Sequence, residues 1–345
     1  MSGVQKIEVA DGDGDQRLDR WFRRMFPHIA QGRIEKMCRK GDIRVDGGRV
    51  KANTRVQAGQ VVRVPPLPEP HEITARAKNC DMVSNADVEM MQDAVLYRDD
   101  YLIAINKPPG LPTQGGSKQT RHVDMLADAL RFGYEQKPRL VHRLDKDTSG
   151  ILLLARTRQV ASALTEAFRS RETRKVYWAA VGGCPSPKMG TIKYGLLKAG
   201  GHGHEKMVCI HPDDVAHTEG AKRSTTDYMV LDSAAKRCAW VALVPITGRT
   251  HQLRVHMAEM GHPIIGDGKY GGSGQENQGD GWGAQLGGEI SRKMHLHARS
   301  QSFPHPVSGK MVKIIAPMPA HMKQTWATFA WDERDVADDP FEEYL

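Results

Sequence analysis

The stretch LVHRLDKDTSGILLLAR, residues 140–156, combines a basic pair, a single carboxylate and an apolar run. Its segment ILLLA, residues 151–155, is short and continuously apolar, which is typical of a strand covered on both faces. The preceding residues, DTSG at 147–150, bond their own backbone readily or accept a positive φ, so they predict a sharp reversal of the chain. Asp145 therefore lies on a loop braced by a buried strand, where a reactive acid would be displayed.

Four sequence blocks carry a family resemblance. HRLDKDTSG, residues 142–150, resembles the signature of the pseudouridine synthases of the ribosomal large-subunit type, in which the first Asp is catalytic. GRTHQLRVHMAEMGHPIIGDGKYG at 248–271 resembles the C-terminal motif of that family. VLYRDDYLIAINKPPG at 95–110 is similar to its opening strand, and KVYWAAVGG at 175–183 is similar to its Lys-x-Tyr strand. The resemblance extends over residues 15–319.

The remaining periodicity indicates an α+β fold. Strand signals recur, for example at 225–230 and 240–244, between loops that contain Gly and Pro, while helical patterns are few. One helix is predicted at 123–130, with Thr120 as its cap and Gly133 as its end. The resemblance implies the pseudouridine synthase fold, which is a mixed, mostly antiparallel sheet with a central RNA-binding cleft, preceded here by a small S4 domain.

Length and composition favour a two-domain protein that binds a polyanion. The chain has 345 residues and a formal net charge of +8. Residues 1–65 hold fourteen Lys and Arg against eight Asp and Glu, so 14 − 8 gives +6 for this segment. No run approaches the roughly 18 apolar residues that span a bilayer, and the start lacks the core of a signal peptide, so we expect a cytoplasmic protein. Five cysteines without a Cys-x-x-Cys pair indicate reduced thiols and no metal site.

The N-terminal segment has the pattern of a small RNA-binding module. A first helix is predicted from an apolar stripe formed by Leu18, Trp21, Phe22 and Met25. A second helix is predicted from the inward positions Ile34, Met37 and Cys38, with Gly41 as a left-handed cap. Short strands follow up to residue 64. This order of helix, helix and strands resembles an S4 RNA-binding domain.

Both predicted helices are basic on their outer faces. Most charged helix faces are simply solvated, but few acidic residues compensate the charge here, which favours contact with phosphate. Few aromatic residues interleave with these charges, so contact with the backbone of folded RNA fits better than stacking on single-stranded bases. We predict RNA contacts from Arg17, Arg20, Arg33, Lys36, Arg39 and Lys40.

Composition shifts divide the rest of the chain. PPLPEP ends the S4 domain of residues 1–65 and opens a linker predicted at 66–94. The catalytic domain is predicted at 95–326 and includes a Gly-rich loop at 271–288. The segment 327–345 is an acidic tail, which either packs against basic surface or remains disordered.

The resemblance assigns roles to five residues. Asp145 corresponds to the catalytic carboxylate, and Arg249 corresponds to the arginine that pairs with it. Tyr177 corresponds to the ring that stacks on the target base, and Arg143 to the side chain that fills the space left by an everted base. Lys175, on the face that carries the tyrosine, is expected to pair with phosphate or with an acid.

Taken without the resemblance, these residues have plainer interpretations. An arginine near an aspartate is often a structural ion pair, and Tyr177 in an alternating strand is more often core packing. Thr250 is predicted to cap a helix at 251–260. We expect His142 to be positional rather than a general base, and Lys107 to hold the turn or a sheet edge.

The implied reaction detaches uracil from C1′ of its ribose and rejoins it through C5. It involves no redox change and no external group, so we expect no cofactor. The carboxylate could act as a nucleophile or as the base that removes the C2′ proton, and the sequence leaves both routes open. A uridine within folded RNA must first be everted, at a cost on the order of a few kcal/mol.

We therefore expect an enzyme that isomerises specific uridines in large-subunit ribosomal RNA, as a monomer without an obligate protein partner or membrane association. The stretches at 47–66 and 95–110 are most similar to the C-type branch of the family. The D-type branch, a transfer RNA substrate and a non-catalytic S4-type factor for ribosome assembly remain alternatives. Asp145 within an unbroken motif favours catalysis.

Overall fold

The structure is a computed structural model that describes residues 3–68, 83–115, 120–170, 172–200, 206–271, 290–337 and 339–342. It divides into two compact units, Met1–Met82 and Val83–Leu345. Most of the predicted Gly-rich loop and part of the predicted linker lie outside the described residues. Among the described residues, no helix is both long enough and apolar enough to cross a membrane.

In its described residues, the first unit combines two helices with short strands. Helices α1 and α2 span Leu18–Met25 and Gln31–Lys40. One sheet has the order β1-β6-β3-β4, formed by Gln5–Glu8, Val61–Val64, Arg44–Val45 and Gly48–Arg49. A separate pair joins β2 and β5, Gln16–Arg17 and Arg55–Val56.

The predicted apolar positions form the core of this unit, with one exception. The inward residues of α2 are buried, and Gly41 has the left-handed conformation, with φ 78°. Met25, predicted to face inward on α1, is 43% exposed. The helix ends at Met25, and the following Phe26 packs on Phe22 instead, with 4.9 Å between their ring centroids.

The second unit has five helices in the part of the chain that the structure describes. These are α3 to α7, formed by Asn85–Asp93, Val123–Leu126, Arg158–Arg169, Gln252–Glu259 and Ala320–Thr328. Strands β7 to β11 are Val95–Arg98, Leu102–Lys107, Arg139–Leu140, Ser149–Ala155 and Arg174–Gly182. Strands β12 to β17 are Met189–Ala199, Lys206–Ile210, Lys222–Ala234, Cys238–Pro245, Leu296–Pro304 and Met311–Ile315.

These strands form one eleven-stranded sheet. Its path runs β13-β12-β14-β15-β11-β16-β10-β8-β7, while β17 pairs with β16 and β9 pairs with β10. Strands β10 and β16 run parallel, and the other pairings between described strands are antiparallel. The predicted α+β fold with a mixed, mostly antiparallel sheet is therefore confirmed.

Helix α3 corrects the predicted linker. The Ser84 hydroxyl accepts a hydrogen bond from the Asp87 amide and caps the helix, and Met91 is buried in the core of the second unit. Asp87 also pairs with Arg121. Residues 85–93 therefore belong to the folded second unit, although their polar sequence suggested a linker.

The predicted helix at 123–130 is α4 followed by a 3₁₀ turn, Ala127–Leu130. Its four inward residues, Val123, Leu126, Ala127 and Leu130, are buried. The cap differs from the prediction, because His122 Nδ1, rather than the Thr120 hydroxyl, accepts the hydrogen bond from the Met125 amide at 3.1 Å.

The C-terminal segment packs against the second unit. Trp331 and Phe341 are buried in the cluster that contains Trp178 of β11. Arg174 donates from Nε to Asp339 Oδ2 at 2.7 Å. Of the two alternatives for the acidic tail, packing against basic surface is the one that the described residues adopt.

Because two histidines are buried, we expect the folded protein to lose stability at acidic pH. Burial lowers the pKa of His295 and of His297 from 6.5 to about 3. Below pH 6.5 the unfolded chain therefore binds more protons than the folded chain, and stability falls as the pH falls. We expect each histidine to contribute a loss of about 2 kcal/mol between pH 6.5 and 5.

Urea unfolding at several pH values measures this effect. The variant His297→Asn should show a shallower decline in the free energy of unfolding between pH 6.5 and 5. His211→Asn is the matched control, because the His211 side chain is exposed and should leave the decline unchanged. Equal slopes in all three proteins would contradict the prediction.

Candidate active site

The backbone on both sides of Asp145 is fixed by side chains from the end of β8 and the loop that follows it. The Thr113 hydroxyl donates to the carbonyl of Leu144 at 2.6 Å and accepts from the Leu144 amide at 3.1 Å. On the other side, Lys107 Nζ donates to the carbonyl of Lys146 at 3.0 Å. The loop that displays Asp145 is therefore held immediately before and immediately after this residue.

Lys107 has the structural role that the sequence predicted. Its side chain is fully buried, and it also donates to the carbonyls of Pro108 and Leu111 at 2.8 and 2.9 Å. Burial lowers the pKa of Lys107 to about 7, and three carbonyl oxygens around Nζ satisfy its hydrogen-bonding capacity.

A glycine allows the strand after the loop to approach its neighbour. Gly150 has φ +106°, and a Cβ at this position would lie 2.3 Å from the carbonyl oxygen of Ala298 on β16. Beside it, Ser149 Oγ and His297 Nδ1 are 2.9 Å apart. The predicted turn therefore joins β10 two residues earlier than expected, at the parallel pairing of β10 with β16.

Arg254, rather than Arg249, contacts the catalytic candidate. Arg254 Nη1 lies 3.1 Å from Asp145 Oδ2. Arg249 donates from Nε to the carbonyl of Arg223 at 3.3 Å, so its predicted pairing with Asp145 is wrong. The physical reason is that Arg249 precedes α6, whereas Arg254 lies on the first turn of this helix, which faces the loop of Asp145.

A second carboxylate fixes Arg254. The guanidinium donates from Nε and Nη2 to the two oxygens of Asp267, both at 2.7 Å, and the Asp267 side chain is fully buried. Burial alone would lower the pKa of Arg254, but the hydrogen bonds and charge of Asp267, followed by the charge of Asp145, raise it. Asp145 therefore faces a permanent cation.

The two oxygens of Asp145 differ in their contacts. Oδ2 faces Arg254 and also lies 3.9 Å from His251 Nε2. Oδ1 has no hydrogen bond or ion pair to any residue that the structure describes. The side chain is 23% exposed. One oxygen is thus anchored while the other remains available to a substrate.

Gln252 holds the loop before α6. Its Oε1 accepts from the Thr247 hydroxyl at 2.7 Å and from the Arg249 amide at 3.1 Å. Its Nε2 donates to the Thr225 carbonyl and the Thr226 hydroxyl. The predicted capping by Thr250 is wrong, because His251 is the N-cap residue and the Gln252 side chain binds the loop instead.

A cavity of about 920 Å³ in the second unit is lined by Asp145, Arg254, His251 and Gln252. Tyr177 of β11 is half-buried there, and burial, followed by the charge of Asp145, raises its pKa, so the phenol stays protonated. The structure brings the predicted site residues of this unit together around the cavity, which is lined by Asp145, Tyr177, Arg143, Lys175 and Arg249 among others.

Comparisons with known proteins agree with this arrangement. The sequence model of the family described as RNA pseudouridylate synthase matches residues 101–259, and that of the S4 domain matches residues 16–62. A Vibrio cholerae protein named ribosomal large subunit pseudouridine synthase C is 35% identical over 93% of this chain and 95% of its own. The chain belongs to the RNA pseudouridylate synthase family.

Other relatives and solved structures support this assignment. An Escherichia coli protein of the same name is 32% identical, again over 93% of this chain and 95% of its own. Human RNA pseudouridylate synthase domain containing 4 has a TM-score of 0.58 at 29% identity and covers 71% of this chain and 96% of its own. Human RNA pseudouridylate synthase domain containing 1 has a TM-score of 0.51 at 29% identity, and the match covers 69% of this chain and 87% of its own. The predicted family, fold, N-terminal S4 domain and isomerase activity are confirmed.

The remaining predicted residues of the synthase site differ in their contacts. His142 Nε2 accepts from the Leu153 amide at 3.1 Å, and burial lowers its pKa well below the usual value, so it is neutral and positional as predicted. Arg143 is exposed, with no partner among the described residues. Lys175 Nζ lies 3.9 Å from the ring centroid of Phe168, and burial lowers its pKa to about 8.

Four further residues near Asp145 were assigned no role from the sequence, although all four lie in the block at 248–271. Arg254 and Asp267 form the ion pair described above. His251 Nδ1 lies 2.8 Å from the Tyr270 hydroxyl, whose oxygen accepts from the Met207 amide at 2.9 Å. The motif GRTHQLR contained two of them, but no local signal distinguished its arginines.

The basic residues of the S4 domain fall into two groups. Arg17 is held by Asp19, which is buried, with Nη2 and Oδ2 2.5 Å apart. The other five predicted contacts are exposed and have no ion-pair partner among the described residues: Arg20, Arg33, Lys36, Arg39 and Lys40.

Proposed function

We propose that this synthase isomerises specific uridines in large-subunit ribosomal RNA and that Asp145 is its catalytic residue. The observation that carries the proposal is the asymmetric carboxylate, with Oδ2 anchored by Arg254 and Oδ1 available in the cavity. The relatives from Vibrio cholerae and Escherichia coli carry names that refer to the large ribosomal subunit. The C-type branch is the assignment that these names favour.

Arg254 places a permanent positive charge beside Asp145 Oδ2, and either chemical route uses the carboxylate form of Asp145. When the C1′–N1 bond breaks, its electron pair leaves with the uracil. The ring then turns and C5 forms the new bond to C1′, after which the proton on C5 is lost and N1 is protonated. Asp145 Oδ1 acts at the sugar in the first step. As a nucleophile it forms a bond to C1′ that breaks when C5 attacks C1′, and as a base it takes the C2′ proton and returns it when C5 bonds to C1′.

The residues around Asp145 suit an everted nucleotide. Tyr177, protonated and half-buried, offers a ring on which the target base stacks. Arg143 is exposed beside the carboxylate and is long enough to fill the space that the base leaves. Lys175 is more buried, and we assign its ammonium group to a phosphate at the cavity.

We further propose that the synthase acts in the cytoplasm as a monomer, without a cofactor or an obligate protein partner. The reaction needs no external group, since every non-hydrogen atom of the product comes from the uridine. In the described residues, no cluster of three or more His, Cys, Asp and Glu is arranged to hold a metal ion. Sedimentation velocity of the full chain tests the oligomeric state, and a stable dimer would contradict it.

The substrate can be tested by release of the C5 hydrogen. RNA transcripts that carry tritium at C5 of uridine should lose tritium to water when incubated with the synthase, because C5 exchanges its hydrogen for C1′. We expect release from large-subunit RNA but not from small-subunit RNA or transfer RNA. Release from transfer RNA alone would overturn the substrate, and binding without any release would favour the assembly-factor alternative.

The S4 residues are expected to bind phosphate. The double variant Arg33→Ala/Lys36→Ala should weaken RNA binding and lower the slope of log Kd against log salt by about 2, because two counterion-releasing contacts are lost. The control is Arg24→Ala/Arg55→Ala, which removes the same charge from side chains already paired with Asp13 and Asp15. Equal slopes in both variants would contradict specific contact through the α2 face.

A further inference from the structure

His251 adopts a backbone conformation that is uncommon for residues other than glycine. It is the N-cap residue of α6 with φ 54°, in the left-handed region, which Asn, Asp and His enter more often than other non-glycine residues. Its side chain is 15% exposed and lines the cavity. A conformation of this kind persists where the surroundings hold a residue in place, and here they direct the imidazole towards Asp145.

A hydrogen-bond chain fixes which nitrogen of His251 carries the proton. The Met207 amide donates to the oxygen of the Tyr270 hydroxyl at 2.9 Å. Among the described residues, His251 Nδ1, 2.8 Å away, is the one acceptor within hydrogen-bond distance of this hydroxyl, so we assign the hydroxyl proton to that contact. Burial lowers the pKa of His251, so the ring is neutral and its single proton resides on Nε2, which faces the cavity.

The Nε2–H group has no acceptor among the described residues. The distance of 3.9 Å to Asp145 Oδ2 is too long for a hydrogen bond, and it is too short for a water molecule to lie between the two atoms. Arg254 already occupies Oδ2 at 3.1 Å. A directed donor therefore stands next to the carboxylate that acts on the glycosidic bond.

We propose that His251 donates a hydrogen bond from Nε2 to O2 of the target uracil and stabilises the ring as it detaches from C1′. The inference rests on the proposed function of Asp145. Breaking the C1′–N1 bond leaves the electron pair on N1, and the negative charge spreads onto the adjacent O2. A donor fixed beforehand at this oxygen stabilises the detached base without transferring its proton.

Two substitutions at His251 distinguish the contribution of Nδ1 from that of Nε2. In His251→Asn the amide oxygen takes the position of Nδ1 and accepts from the Tyr270 hydroxyl, and asparagine tolerates the left-handed φ, so the fold is retained while the donor towards the cavity is lost. In His251→Gln the longer amide can return a donor near the position of Nε2. We expect kcat of His251→Asn to fall by about 100-fold with little change in KM, and His251→Gln to recover part of that loss.

A modified substrate identifies the acceptor. Target RNA with 2-thiouridine replaces O2 by sulfur, a weak hydrogen-bond acceptor, and 4-thiouridine makes the same change at O4. Each modified RNA is assayed by single-turnover isomerisation with the wild-type enzyme and with His251→Asn. If His251 donates to O2, the 2-thio substitution slows the wild-type enzyme much more than His251→Asn, while the 4-thio substitution slows both equally.

The outcomes separate this inference from the proposed function. Three results would overturn the role of His251 while Asp145 keeps its role. The first is that the 2-thio substitution slows the wild-type enzyme and His251→Asn equally, and the second is that the difference between the two enzymes appears with 4-thiouridine instead. The third is that His251→Asn keeps the wild-type kcat. Failure of the wild-type enzyme to isomerise any unmodified large-subunit RNA would overturn both. ¹⁵N NMR gives a readout independent of activity, and a proton on Nδ1 rather than on Nε2 of His251 would also overturn the inference.

Discussion

Asp145→Asn should abolish isomerisation and leave RNA binding intact. The amide has nearly the shape of the carboxylate, and Oδ2 can be replaced by an amide oxygen that still accepts from Arg254. It lacks the charge needed for nucleophilic attack or proton removal, so we expect single-turnover isomerisation to fall by about 10⁴-fold or more. Tritium release measures the reaction, and filter binding at fixed salt measures the Kd for RNA.

Asp147→Asn is the matched control for this variant. It removes the same charge from the same loop, but Asp147 is exposed and does not line the cavity. We expect its rate and affinity to stay within about twofold of wild type. Activity above one hundredth of wild type in Asp145→Asn, with no deamidation back to Asp detectable by mass spectrometry, would remove the proposed role.

The second large effect is expected at Arg254. Arg254→Met leaves the carboxylate of Asp267 buried without its partner, and such a loss destabilises a protein by about 3–5 kcal/mol. It also removes the charge beside Asp145, so isomerisation should fall well beyond what unfolding explains. Urea unfolding and single-turnover rates below the unfolding transition measure the two effects separately.

Two variants control for this interpretation. Arg249→Met removes an arginine of the same motif whose side chain contacts the backbone of Arg223, so the free energy of unfolding should change by less than about 1 kcal/mol. Arg254→Met/Asp267→Asn removes both members of the buried pair and should regain stability without regaining activity. If Arg249→Met were the more damaging single change, the assignment of Arg254 would be wrong.

Much of the fold could be predicted because the spacing of apolar residues indicates which side chains are buried. The run at 151–155 and the stripe of α2 became a buried strand and a buried helix face as expected. Helix α3 escaped prediction because it has only one buried residue, Met91, and depends on a cap at Ser84 and on packing against a distant segment. Its helical signal was limited to the capping pattern of Ser84 and Asp87, with few apolar residues behind it.

Contacts between residues that are distant in sequence could not be predicted at the site. Asp145 could be found because its motif is continuous, but the choice between Arg249 and Arg254 depended on where α6 begins and on a contact across 109 residues. Asp267, buried against Arg254, is unremarkable in sequence because its role exists only once the chain has folded. The order of residues in GRTHQLR shows that two arginines are present but does not show which one faces the loop.

The central claim is that the synthase isomerises uridines of large-subunit ribosomal RNA and that the side chain of Asp145 is its catalytic group. Its most direct test is carbodiimide-dependent primer extension on ribosomal RNA from cells that lack their own large-subunit pseudouridine synthases. Cells expressing the wild-type chain should regain pseudouridine at specific large-subunit positions, and cells expressing Asp145→Asn at an equal level should regain none. Restoration of the same positions by both proteins, or of no position by the wild-type chain, would contradict the account.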